Sequence, residues 1–208
     1  MNTDGVLRVG DGRGFIIEHR AFLSYGDFSD PPRRKLVVTA SHCLPRPPKM
    51  PCFDSEDTTY GNLLAPLGEE PSVWADCLFF DPVSDLAILG EPDDQSLPEE
   101  SDGYVALLDE RAPFTIARPE SGEGYMLSLD NDSWRPTPLK VHAGIWGTGL
   151  STGATLAGQS GSPIVDASGR AVAVVSVGIG MESGHHPILK LALPAWLLET
   201  VEGMPQHL

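Results

Sequence analysis

Short runs of apolar and β-branched residues, each bounded by turn-forming residues, constrain the fold of this chain more than any other feature. Four of them, GFIIEH, KLVVTA, VWADCLFF and DLAILG, occupy residues 14–19, 35–40, 73–80 and 85–90. Runs of this length and composition predict strands. The 22 glycines and 19 prolines are spread along all 208 residues. So many turn-formers favour an all-β protein over a helical one.

The second half of the chain repeats this pattern after an acidic segment. Residues 91–103, EPDDQSLPEESDG, predict a linker between an N-terminal unit, 1–90, and a C-terminal unit, 104–208. Six further strands are predicted from YVALL, GYMLSL, LKVHAGIWG, SPIVDA, AVAVVSVG and ILKLAL. The segment LPAWLLETVEGM, 193–204, predicts a C-terminal helix. Two β units of similar length suggest two small barrels, with an active site in the crevice between them.

The net charge limits which partners the protein can bind, and the cysteine content indicates its cellular compartment. A net charge of −15 repels phosphate backbones and anionic lipids, so we expect neither a nucleic-acid nor a membrane partner. We find neither a secretory signal nor a long apolar stretch. The odd set Cys43, Cys52 and Cys77 indicates reduced thiols in a cytoplasmic protein, with a Cys43–Cys52 bridge as the alternative.

The segment GQSGSP, residues 158–163, is the strongest local signal for chemistry. A nucleophilic serine needs an exposed hydroxyl on a sharp turn, with backbone N–H groups facing the oxyanion that forms. Gly158 and Gly161 would permit that geometry around Ser160. The alternative reading is a simple Gly/Ser turn between two strands.

Two further residues have the chemistry that such a serine requires. His42 follows the apolar run LVVTAS, where the end of a strand can hold a general base in place. Asp85 directly precedes LAIL and would be drawn toward the core, where a carboxylate needs a partner such as an imidazolium. The alternatives are a packed histidine and an aspartate that caps a turn, as Asp81 does before Pro82.

Taken together, these segments resemble the trypsin/chymotrypsin-like serine peptidases. TASHC is similar to the histidine box of that family, DPVSDLAIL to its aspartate box and GQSGSP to its serine box. The segment Gly12-Arg13-Gly14-Phe15 resembles the strand that opens the HtrA-like and glutamyl-endopeptidase-like bacterial branches. The resemblance implies two six-stranded antiparallel barrels, a protein or peptide substrate, and neither cofactor nor metal.

The resemblance also implies catalytic roles. His42 would be the general base and then the general acid, Asp85 its orienting partner, and Ser160 the nucleophile that is acylated. The backbone N–H groups of Gly158 and Ser160 would form the oxyanion hole.

The resemblance assigns substrate contacts to two more segments. Ser176, Val177 and Gly178 would form one wall of the primary pocket and pair with the substrate backbone, and Ser176 would also support the catalytic aspartate. Ala154 would lie at the base of the pocket, so we expect small or medium apolar side chains before the scissile bond. The rival is acidic specificity through His185 or His186.

Some residues depart from the family pattern. Gln159 replaces an aspartate that pairs with a freshly cut N-terminus in many relatives, so we expect activity without such cleavage. Access would instead depend on a loop at residues 147–157, with a regulatory protein partner left open. No cysteine precedes Cys43 to form the usual bridge, and we expect no PDZ domain after residue 208.

Other functions fit the sequence less well. An inactive protease-like binding module would typically lack one of the three residues, and an α/β-hydrolase would need a helix after the serine.

Three other candidate sites also fit poorly. Cys43 is badly placed to act as a nucleophile activated by His42, its own neighbour in sequence. The GDGRG segment, 10–14, resembles a phosphate loop but lacks a following helix. Adjacent His185 and His186, near Glu182, could not easily bind one metal ion, because neighbouring strand residues point oppositely.

Overall fold

The computed structural model describes residues 4–20, 33–48, 58–118, 122–130, 133–144, 147–151 and 158–176, together with Leu193 and Leu197. Eleven strands and one α-helix are found within these ranges. The strands of the N-terminal half are β1 Val6–Val9, β2 Gly12–Arg20, β3 Arg33–Thr39, β4 Thr59–Ala65, β5 Val73–Asp81 and β6 Leu86–Gly90. Those that follow the helix α1 Pro98–Asp109 are β7 Gly122–Asp130, β8 Ser133–Gly144, β9 Gly147–Ser151, β10 Pro163–Asp166 and β11 Ala171–Val174.

The first six strands form a closed barrel in the order β1-β2-β3-β6-β5-β4. The pairing is antiparallel throughout, with Phe15 opposite Val38 and Val37 opposite Leu89. All four of these side chains are fully buried, each with a relative exposure of 0%. Closure leaves no free strand edge in the barrel, and its inward-facing residues form the main core.

The described strands of the second half form one antiparallel sheet in the order β11-β10-β7-β8-β9. Strands β10 and β11 are short and mostly apolar, and Ile164, Val165 and Val172 are buried. The predicted second six-stranded barrel is not observed among the described residues, which supply this five-stranded sheet. Most of the predicted C-terminal helix, 193–204, and the predicted strand ILKLAL lie outside the described residues.

Helix α1 packs on the outside of the barrel. Pro98 lies in its first turn, where a missing N–H costs nothing, and Glu99 and Glu100 complement the helix dipole there. Three side chains at helical spacing, Tyr104, Leu107 and Leu108, are buried against the barrel. At the other end, Lys35 Nζ on β3 donates hydrogen bonds to three carbonyl oxygens between residues 108 and 111.

This helix corrects two predictions. The segment YVALL, 104–108, is helical and not a strand, and the second half of the predicted acidic linker, from Pro98, forms the start of the same helix. A five-residue apolar run fits a strand and a buried helix face equally well. The helical spacing becomes visible only when the acidic residues before it are counted as part of the same element.

The segment after α1 joins the barrel to the second sheet. The Phe114 N–H donates to the Ile16 carbonyl at 2.8 Å, and the rings of Phe114 and Phe15 meet edge to face with centroids 5.7 Å apart. Three residues further along the chain, the Ala117 N–H donates to the Ala171 carbonyl at 2.9 Å. The connection therefore continues the hydrogen bonding of both units, with β2 at one end and β11 at the other.

The barrel core sets the stability of the fold. We predict that Leu89→Ala lowers the free energy of unfolding by about 2–5 kcal/mol, because it removes a fully buried side chain that the barrel cannot collapse around. The matched control is Leu78→Ala on the neighbouring strand, where the side chain is 58% exposed and we expect a loss under about 1 kcal/mol. Urea denaturation measures both. Equal losses for the two variants would contradict this barrel core.

Candidate active site

His42 lies in a single 3₁₀ turn, Ser41–Cys43, at the end of strand β3. The turn is closed by hydrogen bonds from Cys43 N to Ala40 O at 3.0 Å and from Leu44 N to Ser41 O at 3.2 Å. Ser41 and Cys43 are buried, and the His42 side chain, between them, is 34% exposed. The turn therefore anchors its two flanking residues in the protein and leaves the imidazole accessible.

Asp85 occupies the turn between β5 and β6, with a left-handed backbone conformation at φ 51°. Aspartate and asparagine tolerate this region better than most residues. The preceding turn is organised by Asp81, whose carboxylate accepts hydrogen bonds from the Val83 and Ser84 N–H groups. The predicted capping role thus belongs to Asp81, and the Asp85 carboxylate is available for other partners.

The structure brings His42 and Asp85 together. His42 Nδ1 lies 2.7 Å from Asp85 Oδ2, and the His42 backbone N–H donates to Asp85 Oδ1 at 3.0 Å. The two contacts hold both the ring and the main chain of the histidine on one carboxylate. With Nδ1 engaged, the other ring nitrogen, Nε2, is the one that faces away from the aspartate.

Two serine hydroxyls complete the surroundings of the carboxylate. Ser41 Oγ donates to Asp85 Oδ1 at 2.8 Å, and Ser176 Oγ donates to Asp85 Oδ2 at 2.5 Å. Ser176 follows strand β11, so it reaches Asp85 from the second half of the chain. The carboxylate is therefore bound by donors from two separate parts of the sequence, the histidine turn and the segment after β11.

These contacts shift both pKa values in opposite directions. Burial raises the pKa of the Asp85 carboxyl, but hydrogen bonds from His42 and the two serines lower it by more, so it lies well below its ordinary value. The hydrogen bond to Asp85 raises the pKa of His42 above its ordinary value, and the Cys43 thiol raises it further. The pair is thus stabilised as imidazolium and carboxylate.

Ser160 lies on a turn between two glycines with left-handed backbone conformations, Gly158 at φ 83° and Gly161 at φ 82°. L-residues with a side chain rarely adopt such angles, so both positions require glycine. The Gly161 N–H donates to the Val175 carbonyl at 2.7 Å. Among the hydrogen bonds between described residues, the backbone N–H groups of Gly158 and Ser160 have no acceptor.

The serine turn is bound to β2, the second strand of the barrel that carries His42. The Arg13 N–H donates to the Ser160 carbonyl at 2.7 Å, and the Arg13 carbonyl accepts from Thr39 Oγ1 at 2.6 Å. A Cβ placed on Gly161 would lie only 1.7 Å from the Arg13 carbonyl oxygen. The turn thus sits in direct backbone contact with β2.

The structure does not join every predicted residue. Within the ranges it describes, no hydrogen bond links Ser160 Oγ to His42 Nε2, whose nearest side-chain partner is Cys43 Sγ at 4.0 Å. Catalytic hydrogen bonds often tighten only when substrate binds. The predicted pocket residues Ala154, Val177 and Gly178 lie outside the described residues. So do Cys52, Glu182, His185 and His186.

The structure agrees with one prediction about a neighbouring segment, the reduced thiol of Cys43, and changes another, the loop at residues 147–157. Cys43 is a free, buried thiol, so the alternative Cys43–Cys52 bridge is not formed. Residues Gly147–Ser151 of the predicted 147–157 loop form strand β9, and 152–157 lie outside the described residues.

Across the described ranges, no group of three or more His, Cys, Asp or Glu side chains could hold a metal ion. No helix there is long and apolar enough to cross a membrane.

The sequence analysis missed the contribution of Ser41. Its hydroxyl and its N–H both reach Asp85, the latter through the Asp85 carbonyl at 3.2 Å. A serine before the histidine carries no signal by itself, since its partner is 44 residues further along the chain. The positive φ of Asp85 was equally hidden, because no local sequence pattern demands it.

The family follows from a comparison of sequence profiles. The profile of the trypsin-like peptidase domain matches residues 12–174, which include the histidine, aspartate and serine boxes. The chain belongs to the trypsin-like peptidase family. A comparison with curated proteins finds no relative by sequence.

Solved protease structures share the fold of this trypsin-like peptidase. The MamO protease domain from Magnetospirillum magneticum is 14% identical with a TM-score of 0.55, and the match covers 94% of each chain. The Ser343Ala variant of Rv3671c from M. tuberculosis H37Rv is 16% identical with a TM-score of 0.51, covering 97% of this chain and 88% of that one. The HtrA-type protease AlgW is also 16% identical, with a TM-score of 0.53, and the match covers 99% of this chain and 62% of AlgW.

The His42–Asp85 pair should make stability depend on pH in a defined way. Because the pKa of His42 is raised in the folded protein, the pair adds to the free energy of unfolding. This contribution is complete below about pH 6.5 and is lost as pH rises through the raised pKa. The lowered Asp85 pKa gives one that is complete above about pH 4 and is lost as pH falls through the lowered value.

We therefore predict that Asp85→Asn loses most stability between about pH 4 and 6.5, by about 1–2 kcal/mol given the exposure of His42. The loss should shrink on either side of this window. Asparagine is the matched change because it tolerates the left-handed backbone. Urea denaturation at a series of pH values measures the difference, and a loss that does not vary with pH would contradict the ion pair.

Proposed function

We propose that this trypsin-like peptidase is a serine endopeptidase that hydrolyses peptide bonds of protein substrates through an acyl-enzyme. Ser160 is the nucleophile, His42 the general base and acid, and Asp85 the residue that orients the imidazole. The observation that carries the proposal is the 2.7 Å contact between His42 Nδ1 and the half-buried Asp85 carboxylate. It fixes the ring so that Nε2 is left to exchange a proton with a nucleophile.

Each step of the reaction uses a group already described. His42 Nε2 accepts the Ser160 Oγ proton as Oγ attacks the substrate carbonyl, and the negative charge moves to the carbonyl oxygen. His42 then gives this proton to the leaving amine as the peptide bond breaks. A water molecule, deprotonated by the same nitrogen, attacks the acyl-enzyme and releases the acid product with free Ser160.

The oxyanion is assigned to the backbone N–H groups of Gly158 and Ser160. Both groups lack an acceptor among the described residues, whereas the Gly161 N–H is already bound to Val175. Donors held in place before reaction stabilise the developing charge without reorganisation. The left-handed Gly158 supports this assignment, since the turn it permits leaves its own N–H and that of Ser160 unused.

Asp85 acts through the histidine and not on the substrate. Its carboxylate receives the growing positive charge on the imidazole ring, and the hydroxyls of Ser41 and Ser176 hold it in place. The low pKa of Asp85 keeps it ionised throughout the cycle. The raised pKa of His42 makes the ring a stronger base, and it sets the acid side of the pH–rate profile above the ordinary value for histidine.

Substrate binding is assigned to the segment that follows β11. Ser176 ends the described part of this segment, and we propose that the next two residues in sequence, Val177 and Gly178, pair with the backbone of an extended peptide. We assign the protein to the cytoplasm, and the two free buried thiols, Cys43 and Cys77, are consistent with a reducing compartment. A regulatory protein that controls access near residues 147–157 remains part of the proposal.

We predict that Ser160→Ala and His42→Ala each lower kcat/KM for fluorescently labelled casein by roughly 10⁴ to 10⁶. The double variant should be hardly slower, because nucleophile and base act as one unit. Thermal unfolding serves as the control for folding in each variant. Losses that multiply in the double variant, or full activity in Ser160→Ala, would contradict the proposed mechanism.

The primary pocket should select substrates with an uncharged side chain before the scissile bond. We propose that Ala154, six positions before Ser160, lies at the base of the pocket and brings no charge to it, and burying an unpaired Lys or Arg there would cost several kcal/mol. We expect cleavage after small or medium apolar residues when the enzyme is profiled with a peptide library. The rival result is cleavage after Glu that disappears in His185→Ala or His186→Ala. Dominant cleavage after Arg or Lys would contradict both.

A further inference from the structure

Gly12, the first residue of β2, has no space for a side chain. A Cβ placed on it would lie 2.4 Å from Cys43 Sγ and 2.8 Å from the Ser160 carbonyl oxygen. Its φ is not in the left-handed region, so the backbone angle by itself would accept any residue. The requirement for glycine at this position is therefore one of space.

The two atoms that crowd Gly12 come from the two turns that carry the catalytic groups. The Ser160 carbonyl belongs to the nucleophile turn and is held by the Arg13 N–H at 2.7 Å. Cys43 belongs to the histidine turn, and its thiol also lies 4.0 Å from His42 Nε2. Both turns thus approach the bare Cα of Gly12, where a side chain would otherwise lie.

The next glycine of the same strand provides an internal comparison. A Cβ on Gly14 would lie 2.7 Å from Val9 Cγ2, 2.8 Å from Val37 Cγ1 and 3.0 Å from the Val38 carbonyl. All of these atoms belong to the barrel wall and none to either catalytic turn. Gly14 is crowded to a similar degree, but only by the scaffold.

We propose that Gly12 is a positioning residue of the active site, and that Cys43 is the spacer through which it acts on His42. The missing side chain lets the thiol and the Ser160 carbonyl reach the same point on β2, which sets the distance between nucleophile and base. This inference rests on the proposed peptidase function for its kinetic consequence. The claim that Gly12 and Cys43 determine the packing around His42 does not depend on that function.

The kinetic test compares Gly12→Ala with Gly14→Ala. Both variants should lower the melting temperature, because each adds a methyl group to a packed site. Only Gly12→Ala should lower kcat on labelled casein by at least about tenfold, with a smaller change in KM, since it displaces the reacting groups and not the bound substrate. Equal kcat in the two variants would overturn the proposal.

A double-variant cycle tests the role of the thiol. In Cys43→Ala the Sγ atom is gone, and the remaining Cβ would lie 3.4 Å from the new methyl group, an ordinary contact. The Gly12→Ala loss in kcat should therefore be at least about threefold smaller in the Cys43→Ala background than in the parent. Strictly multiplicative losses would show that Cys43 is not the spacer.

A measurement that needs no activity separates this proposal from the peptidase function. The ring NMR signals of His42, assigned with His42→Gln, report its titration in the parent, Gly12→Ala, Gly14→Ala and Cys43→Ala proteins. Asp85 and Cys43 are the groups that face the ring, and the thiol contact raises the His42 pKa. The pKa should fall in Gly12→Ala and Cys43→Ala and stay at the parent value in Gly14→Ala.

The two readouts fail in different ways. A parent protein that does not cleave casein or any library peptide, but whose His42 pKa follows this pattern, would overturn the peptidase function and uphold the positioning role. A His42 pKa that is unchanged in Cys43→Ala would overturn the positioning role even if the enzyme is fully active. Should Gly12→Ala fail to fold, the Cys43→Ala titration still decides, because that variant only removes one sulfur atom.

Discussion

The half-buried carboxylate of Asp85 is the constraint on which the site depends. A charge in this position is costly unless several donors bind it, and it receives four, from Ser41, Ser176 and two groups of His42. The donors come from the end of β3 and from the segment after β11, so the carboxylate also ties the second half of the chain to the barrel. Its position in turn follows from the left-handed turn between β5 and β6. Removing the charge therefore affects the fold and the chemistry together.

Much of the first barrel was predictable from the sequence, because its longer strands are continuous apolar runs. GFIIEH, KLVVTA, VWADCLFF and DLAILG all fall within or closely overlap strands β2, β3, β5 and β6. Strands β1, β4 and β9 were missed because they are short or contain glycine, asparagine and polar residues. The helix α1 was misread because Tyr104, Leu107 and Leu108 bury one face of it against a barrel whose position no local pattern reveals.

Some residues of the site could likewise be predicted from local sequence, whereas others are revealed only by long-range contacts. His42, Asp85 and Ser160 stand out because each sits in a short segment whose residue types suit its chemistry. Ser41 and Gly12 lie in segments that the sequence singles out, but their own roles depend on long-range contacts. Ser41 contacts Asp85, which is 44 positions further along the chain. Gly12, at the start of β2, lies against Cys43 and the carbonyl of Ser160. Such residues are visible only once the turns that they separate have been placed in space.

The central claim is that the protein uses Ser160 as a nucleophile activated by His42. Its most direct test is labelling with a fluorophosphonate probe, which reacts with an activated serine hydroxyl, followed by peptide mass spectrometry to locate the adduct. We expect a single adduct on Ser160 in the folded protein, no adduct in Ser160→Ala, and labelling at least about a hundredfold slower in His42→Ala. A folded protein that does not react, or that reacts equally fast without His42, would contradict the account.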